Sequence, residues 1–268
     1  MPELPEVETI RRQLEAAVVG KTIGRVEVLE PKMFEGEPIK VAGKKIIGAG
    51  RVAKVLRIFL DGGSALLIHF KLNGQLLLES PGKTFDRRFT RVILHFTDGT
   101  RLLFNDSRKF AWMRFIEDYK EEAARAIEPF KPDFTLENFG AVLSKTRKPI
   151  KILLMDQEKI AGIGNIYANE SLFAAHVDPF RPANLLNAEE AKSLFEAIKK
   201  ILAKAIECKG SSGKDEWYRQ LDGGTGCYQE HFLVYQRDGR KCPGVCVGEV
   251  IRKKQSGRST FYCPKCQK

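Results

Sequence analysis

Four of the six cysteines lie in the last 27 residues, as Cys242-Pro-Gly-Val-Cys246, then sixteen intervening residues, then Cys263-Pro-Lys-Cys266. A tail of about 35 residues can bury little apolar core, so it folds stably only with a cross-link or a bound ion. Two close pairs separated by a hairpin's length can set four thiolates tetrahedrally around zinc, and a closed shell of four cysteines is the structural kind of site. The expected cofactor is one structural Zn2+ on Cys242, Cys246, Cys263 and Cys266, in a C-terminal zinc-finger β-hairpin over 234–268. Four unmetallated thiols are the alternative, and they would forgo the folding energy the ion supplies. Between the pairs runs RKKQSGRST, which reads either as a hairpin tip aimed at a phosphate backbone or as a solvated charged turn. Cys208 and Cys227 stand apart, and in a reducing compartment the clustering of the other four points to metal rather than disulfides.

The balance of 45 Lys and Arg against 34 Asp and Glu leaves a formal charge of +11. Such an excess attracts polyanions and makes nucleic acid the leading partner, although charge alone leaves a merely basic soluble protein equally open. No run approaches the ~18 apolar residues needed to cross a bilayer, so no membrane partner is expected. The opening MPELPEVETIRRQLE carries acids from the third residue and lacks the basic-then-apolar order of a secretory signal, so a cytoplasmic location is expected.

Along the chain, Val7, Ile10, Leu14 and Val18 share one helical face between about Pro5 and Val19, with acids in the first turn and Gly20 as a stop. From Lys21 to about Glu117 the pattern changes to short runs rich in β-branched and aromatic residues, broken at Asp61-Gly62-Gly63, Asn73-Gly74 and Asp98-Gly99. These breaks read as hairpin turns, which predicts an antiparallel β-sandwich over 1–118 with the first helix packed against it. IEPFKPDFT reads as a linker. Helical periodicity returns from Thr135 to about Ile206: Thr135 can cap TLENFGAVL, and Asn187 with Glu190 has capping-box spacing before a helix carrying Leu194, Ile198, Ile201 and Leu202. Between them, IKILLMDQEKIAGIGNIYANESLFAA reads as two helices meeting at a glycine-containing turn. This is either a helix-turn-helix element, whose helix N-terminus can offer N–H groups to a phosphate, or an ordinary helical hairpin. Residues 209–229, KGSSGKDEWYRQLDGGTGCYQ, read as a mobile polar loop. The expected class is a multidomain α+β chain with units over 1–118, 130–228 and 234–268.

The N-terminus is chemically unusual. Initiator methionine is normally removed before a residue as small as proline, and this would leave Pro2 as a free secondary amine beside Glu3 and Glu6. An α-amine titrates near ~8 against ~10.4 for lysine, so a useful fraction is nucleophilic at neutral pH. A secondary amine attacking a sugar C1′ gives an iminium directly, an electron sink for breaking neighbouring C–O bonds. A plain helix start is the competing reading of PELPEVET.

Taken together, MPELPEVETIRR, AKVL around Lys54, DSRKF at 106–110, GIGNIYANESLF at 162–173 and the closing GRSTFYCPKCQK resemble formamidopyrimidine-DNA glycosylase, a family of bacterial base-excision enzymes, over essentially the whole chain. The resemblance implies a bifunctional glycosylase and AP lyase acting on double-stranded damaged DNA, with Pro2 as the nucleophile at C1′ and Glu3 as the acid that protonates the opening deoxyribose. It implies that Lys54 contacts phosphate and assists β-elimination, and that Arg258, at the finger tip, holds phosphates and assists δ-elimination. Asn165 and His69 would contact phosphate, with Arg91 and Arg147 also on the DNA. Leu72, Arg108 and Phe110 would fill the gap left by an extruded base. It also implies that 130–228 is a helix-two-turn-helix DNA-binding unit whose 209–229 loop caps the lesion.

Four departures from the family pattern stand out. Leu72 replaces a methionine, Ala111 stands where a glycine commonly follows the phenylalanine, the first cysteine pair is spaced by three residues rather than two, and the 209–229 loop, which in the family helps identify the extruded base, departs most and leaves lesion range open. Oxidised purines such as 8-oxoguanine and formamidopyrimidines are the expected substrates. The alternatives are an endonuclease VIII-type enzyme for oxidised pyrimidines, whose sequences typically begin PEGPE, and a catalytically silent lesion-binding protein, which would not require an acid beside the amine. One site per chain needs no dimer, so a monomer is expected.

Overall fold

A computed structural model describes residues 1–120, 126–213 and 218–268. It divides into two compact units: the described residues of Met1–Glu122 with Ile206–Gln229, and those of Ala123–Ala205 with Glu230–Lys268. No helix among the described residues is long and apolar enough to cross a membrane.

In the first unit, helix α1 (Leu4–Val18) presents Val7, Ile10, Leu14 and Val18 to the core, each buried, as its periodicity predicts. Strands β1 (Ile23–Val28), β2 (Phe34–Glu35), β3 (Ile46–Val52), β4 (Val55–Leu60), β5 (Ser64–His69), β6 (Gln75–Glu79), β7 (Thr90–Phe96), β8 (Arg101–Asn105) and β9 (Trp112–Ile116) follow. They build a four-stranded sheet in the order β1-β7-β8-β6 and a five-stranded sheet in the order β2-β9-β5-β4-β3. Every pairing is antiparallel except the short β2–β9 contact. Alternation assigns the faces: Leu76, Val92, Leu94, Phe96, Leu102 and Phe104 point into the core shared with α1 and the second sheet. Their neighbours Leu77, Ile93 and Leu103 form a separate outer cluster covered by Phe85.

Asp61-Gly62-Gly63 and Asp98-Gly99 are hairpin turns, as expected, and Gly62, Gly63 and Gly99 all have positive φ. Asn73-Gly74 is not. It joins β5 of one sheet to β6 of the other, and Gly74 is needed for space rather than for turn geometry: a Cβ there would lie 2.6 Å from the Phe70 carbonyl oxygen and 3.0 Å from the Ala111 methyl.

In the second unit, α2 (Leu136–Ser144) starts at Thr135, whose hydroxyl accepts from the Asn138 N–H at 3.1 Å. α3 (Ile150–Leu154) and α4 (Asn165–Ala174) flank the glycine-containing turn. At the start of α5 (Ala188–Glu207), Asn187 Oδ1 accepts from Glu190 N–H and Glu190 Oε2 from Asn187 N–H, the reciprocal cap foreseen in the sequence. Its buried stripe is Ala191, Leu194, Ile198, Leu202 and Ala205, and Ile201 is only half-buried. The expected linker is integral to this unit from Ile127 onward: Ile127 bonds Lys159 and Ala161 through the main chain, and Glu128 and Phe134 are buried. The hairpin of β10 (Ile251–Gln255) and β11 (Arg258–Tyr262) completes the unit.

Two glycines should respond oppositely to alanine. Gly74→Ala should lower stability by about 1–3 kcal/mol through the clash with Phe70. Gly140→Ala, in the interior of α2 with open space where a Cβ would go, should raise it by about 0.5–1 kcal/mol. Urea-unfolding midpoints check both signs.

Candidate functional site

The N-terminal end of α1 is held by buried carboxylates. Pro2 is buried, as are Glu3 and Glu6, at 2% and 1% exposure. Glu3 and Glu6 form a capping box in which Glu6 Oε2 accepts from the Glu3 N–H at 2.8 Å and the Glu3 side chain accepts from the Glu6 N–H. The other Glu6 oxygen accepts from the Ser211 N–H at 2.9 Å. Gly210 makes this approach possible: its φ is +83°, and a Cβ would lie 2.9 Å from Glu6 Cγ and Oε1. The residue bearing the expected acid, Glu3, thus has its main chain fixed on one side by α1 and, through Glu6, by the chain at 210–211.

Lys54 sits in the β3–β4 turn and is buried, with Ala53 before it in the left-handed region at φ +51°. The strain is offset by Arg51, which donates from Nη1 to the Ala53 carbonyl at 2.8 Å and from Nε to Glu8 Oε2 at 3.2 Å. Glu8 also pairs with Arg11 and Arg12, and although burial raises its pKa, these guanidiniums hold its carboxyl below the usual range. Opposite Val55, on the neighbouring strand, lies His69. Its ring stands 5.8 Å from that of Trp112, and its Nδ1 accepts from the Lys71 N–H at 2.9 Å. Burial first, then the charges of Lys71 and Lys54, push His69 down to about 4. The imidazole is therefore neutral at pH 7. With Nδ1 accepting, the proton is on Nε2, which can donate.

Leu72 is half-buried in the 70–74 turn, and Phe110 is exposed at 55%, so Phe110 is not a core residue. The Arg108 guanidinium lies over the Phe110 ring at 5.2 Å. Asn73 Nδ2 donates to Ser107 Oγ at 3.2 Å, tying the turn of Leu72 to the loop of Arg108 and Phe110. That loop is organised by Asp106, which is 1% exposed and accepts from the N–H groups of Arg108, Phe110 and Ala111, each at 2.8 Å. Arg91 donates from Nε to the Asp106 carbonyl at 2.9 Å and from Nη1 to the Thr90 carbonyl, so at least part of its guanidinium supports this loop. Asp106, within DSRKF, is a functional residue that sequence reasoning missed. The available signal was an aspartate closing a strand before a polar turn, where its oxygens can cap successive N–H groups. Beside the loop is a cleft of about 400 Å³ lined by Asn73, Phe85, Phe89, Asn105, Asp106 and Arg219, among others, which the sequence did not foretell.

In the second unit, Asn165 is the first residue of α4, and its carbonyl accepts from Asn169 Nδ2 at 2.5 Å. Asn169 Oδ1 accepts in turn from the Phe261 N–H on β11 at 2.9 Å. Lys151, fully buried on α3, donates to the Ser259 carbonyl at 2.9 Å and Thr260 Oγ1 at 2.8 Å. α3 and α4 thus hold β11, and Arg258 at its start is exposed beside Gly257, φ +79°. Glu170, also on α4, accepts from the N–H groups of Leu233, Val234 and Tyr235 at 2.7–3.0 Å, although burial drives its pKa upward. Arg147 is exposed just before α3.

The four tail cysteines converge. Sγ of Cys242 and Cys266 are 3.6 Å apart, those of Cys246 and Cys263 are 3.5 Å apart, and all four lie within 4.8 Å of one another. A tetrahedral ion with metal–sulfur bonds of ~2.3 Å requires sulfurs ~3.8 Å apart, so the set can hold a metal ion, and the three-residue spacing of the first pair does not prevent it. Gly248 allows this: a Cβ there would lie 2.7 Å from Cys263 Sγ and 3.1 Å from Cys246 Sγ.

The depressed pKa of His69 has a signed consequence. Between about pH 6.5 and 4 the unfolded chain binds a proton that the folded chain does not, so His69 subtracts stability as pH falls through this window and nothing above it. A histidine titration by NMR should place His69 near 4, and His69→Gln should flatten the loss of stability over that range.

Two family profiles match in order: the formamidopyrimidine-DNA glycosylase N-terminal domain over residues 1–113 and the formamidopyrimidine-DNA glycosylase H2TH domain over 126–216. A formamidopyrimidine-DNA glycosylase of Chloroflexus aurantiacus is 42% identical over 275 residues, covering 100% of this chain and 98% of its own. The crystal structure of the MutM (Fpg) protein of Thermus thermophilus superposes with a TM-score of 0.90 at 38% identity, covering 99% of this chain and 98% of its own. The wild-type Lactococcus lactis Fpg in complex with oxidised-pyrimidine DNA gives 0.89 at 34% identity, with full coverage of both chains. With the two family models matched in order along it and relatives of about 40% identity covered over their whole length, the chain belongs to the formamidopyrimidine-DNA glycosylase family.

Proposed function

We propose that this chain is a bifunctional DNA glycosylase and AP lyase of base-excision repair that acts on oxidised purines in double-stranded DNA. The observation that carries the reading is the end of α1, where Pro2 and Glu3 are buried together and Glu6 holds the Glu3 main chain. Removal of Met1, which is exposed, frees the Pro2 nitrogen as a secondary amine. Its lone pair attacks C1′ of the damaged nucleotide and the C1′–N bond to the base breaks. Glu3 gives a proton to the ring oxygen as the sugar opens, leaving an iminium between Pro2 and C1′. Loss of a C2′ proton expels the 3′ phosphate, a second elimination expels the 5′ phosphate, and a one-nucleotide gap remains.

The cations have separable parts in this scheme. Lys54 is held by its turn for the phosphate near the first elimination, and Arg258 at the hairpin tip for the second. Neutral His69 gives a phosphate a hydrogen bond without charge, and Asn165 does the same from the start of α4. Leu72, Arg108 and Phe110 fill the stack where the base was, Phe110 being already exposed and Arg108 stacked on it. The four thiols suit one structural Zn2+, which when bound would fix the fold of the finger. The enzyme works as a monomer in the bacterial cytoplasm, at the nucleoid.

Oxidised pyrimidines are the second reading, because the L. lactis relative is seen with DNA that carries one. The opening PELPEVE favours the purine branch. Cleavage of duplexes with single lesions opposite each base ranks the two.

Borohydride should trap a covalent complex with lesion-containing DNA, and Pro2→Gly should reduce trapping by more than ~100-fold. Equal trapping would exclude the nucleophile. Binding should weaken with salt at a slope of about −0.9 per neutralised phosphate. Arg258→Gln and Lys54→Gln should each flatten it by about one contact, whereas His69→Gln should weaken binding and leave the slope unchanged. Metal analysis should find one zinc per chain, and its removal should unfold the hairpin and weaken DNA binding at least ~10-fold.

A further inference from the structure

Two thiols take no part in the finger or in the N-terminal site. Cys208 is buried at 6% exposure, Cys227 is half-buried, and their Sγ atoms lie within 4.8 Å of each other. The Cys227 N–H donates to the Cys208 carbonyl at 2.9 Å, and the Tyr228 N–H donates to the Gly210 carbonyl at 3.0 Å. A main-chain bond of this length between the two residues themselves limits their Cα atoms to a separation of about 6 Å, inside the span of a disulfide, so the sulfurs come within reach of bonding by rotation about χ1.

We propose that Cys208 and Cys227 form a reversible dithiol–disulfide pair, closed by hydroperoxides, that staples together the ends of the segment 209–226. Cys227, the more accessible thiol, reacts first: its sulfur takes one oxygen from the hydroperoxide, giving a sulfenic acid and releasing the corresponding alcohol or, from hydrogen peroxide, water. The Cys208 sulfur then attacks that sulfur, the S–O bond breaks, water leaves with the Cys208 proton, and the S–S bond forms. The two thiols are oxidised and the peroxide is reduced. A dithiol reductant reverses the closure by exchange. The burial of Cys208 leaves Cys227 as its nearest electrophile and limits over-oxidation.

The staple acts on chain that matters to the first unit. Gly210 and Ser211 lie against Glu6, the Leu221 N–H donates to Gln13 on α1, and the Leu221 carbonyl accepts from the Leu78 N–H on β6. Closing the ends of the segment reduces the freedom of these contacts to open. The pairing rests on this geometry alone, independent of the reaction proposed above.

The test uses the full-length, metal-loaded chain, treated with graded hydrogen peroxide, quenched, alkylated and digested without reductant. A peptide linking Cys208 to Cys227 should appear, with the intact chain two hydrogens lighter, before any metal is released to a chromophoric chelator. Dithiothreitol should abolish it. Cys208→Ser should instead accumulate oxygen on Cys227, and Cys227→Ser should give no cross-link. Amide exchange at Ser211, Gly226 and Tyr228 should slow at least ~10-fold in the oxidised chain. The proposal is overturned if the finger loses metal before any 208–227 link forms, if exchange is unchanged on oxidation, or if the reduced chain holds a second metal equivalent that Cys208→Ser removes.

Discussion

One buried carboxylate, that of Glu6, decides how the first unit presents its N-terminus. It satisfies the Glu3 N–H, one of the donors a helix start leaves without an internal partner, and with its other oxygen it takes the Ser211 N–H from a segment more than 200 residues away in sequence. A carboxylate taken out of water needs such donors, and two main-chain N–H groups in fixed positions supply them. Because both belong to chain whose own geometry is set, by α1 on one side and by Gly210 with its positive φ on the other, the restraint is mutual. The first residues are consequently seated rather than frayed, which a terminal nucleophile requires: orientation contributes to a reaction only when it is present before the substrate arrives.

The same solution recurs where other loops must be held still. Asp106 gathers three N–H groups and shapes the loop of Arg108 and Phe110, Glu170 gathers three more at 233–235, and Lys151 donates to a carbonyl and a hydroxyl of β11. In each case a buried ionisable side chain meets main-chain groups. Removing such a side chain leaves several buried polar groups unsatisfied at once, which costs more than the loss of any one bond.

The helices and their caps were legible in the sequence because their causes are local. Val7, Ile10, Leu14 and Val18 repeat with the helical period, and Thr135, Asn187 and Glu190 bond within three residues of themselves. The finger was legible because four ligands at hairpin spacing admit few other uses. Asn73-Gly74 misled because the dipeptide that makes a tight turn also allows close packing, and only Phe70 and Ala111 across the gap tell the two apart. Asp106, Lys151 and Glu170 were missed for a related reason: their partners are main-chain groups, which carry no sequence signature. The glycines and polar residues of 209–229 predict a mobile loop. The described part is tied to Glu6, Gln13 and Leu78, and 214–217 lie outside the described residues.

Net charge, the first hint of a polyanionic partner, is a coarse guide to which cations can meet one. Lys151 is sequestered in the core of its unit, Arg51 is engaged by Glu8 and a turn carbonyl, and Arg87 and Arg101 share the buried Glu79. Arg91 gives Nε to a main-chain carbonyl, which leaves it a smaller share of donors for a phosphate. Arg108, Arg147 and Arg258, by contrast, are exposed and form no ion pair among the described residues, so their charge is available to a ligand. A cation already neutralised in the fold releases no counterion on binding. The electrostatic attraction of the chain for DNA therefore follows where its exposed and unneutralised cations lie, which the formal +11 does not locate.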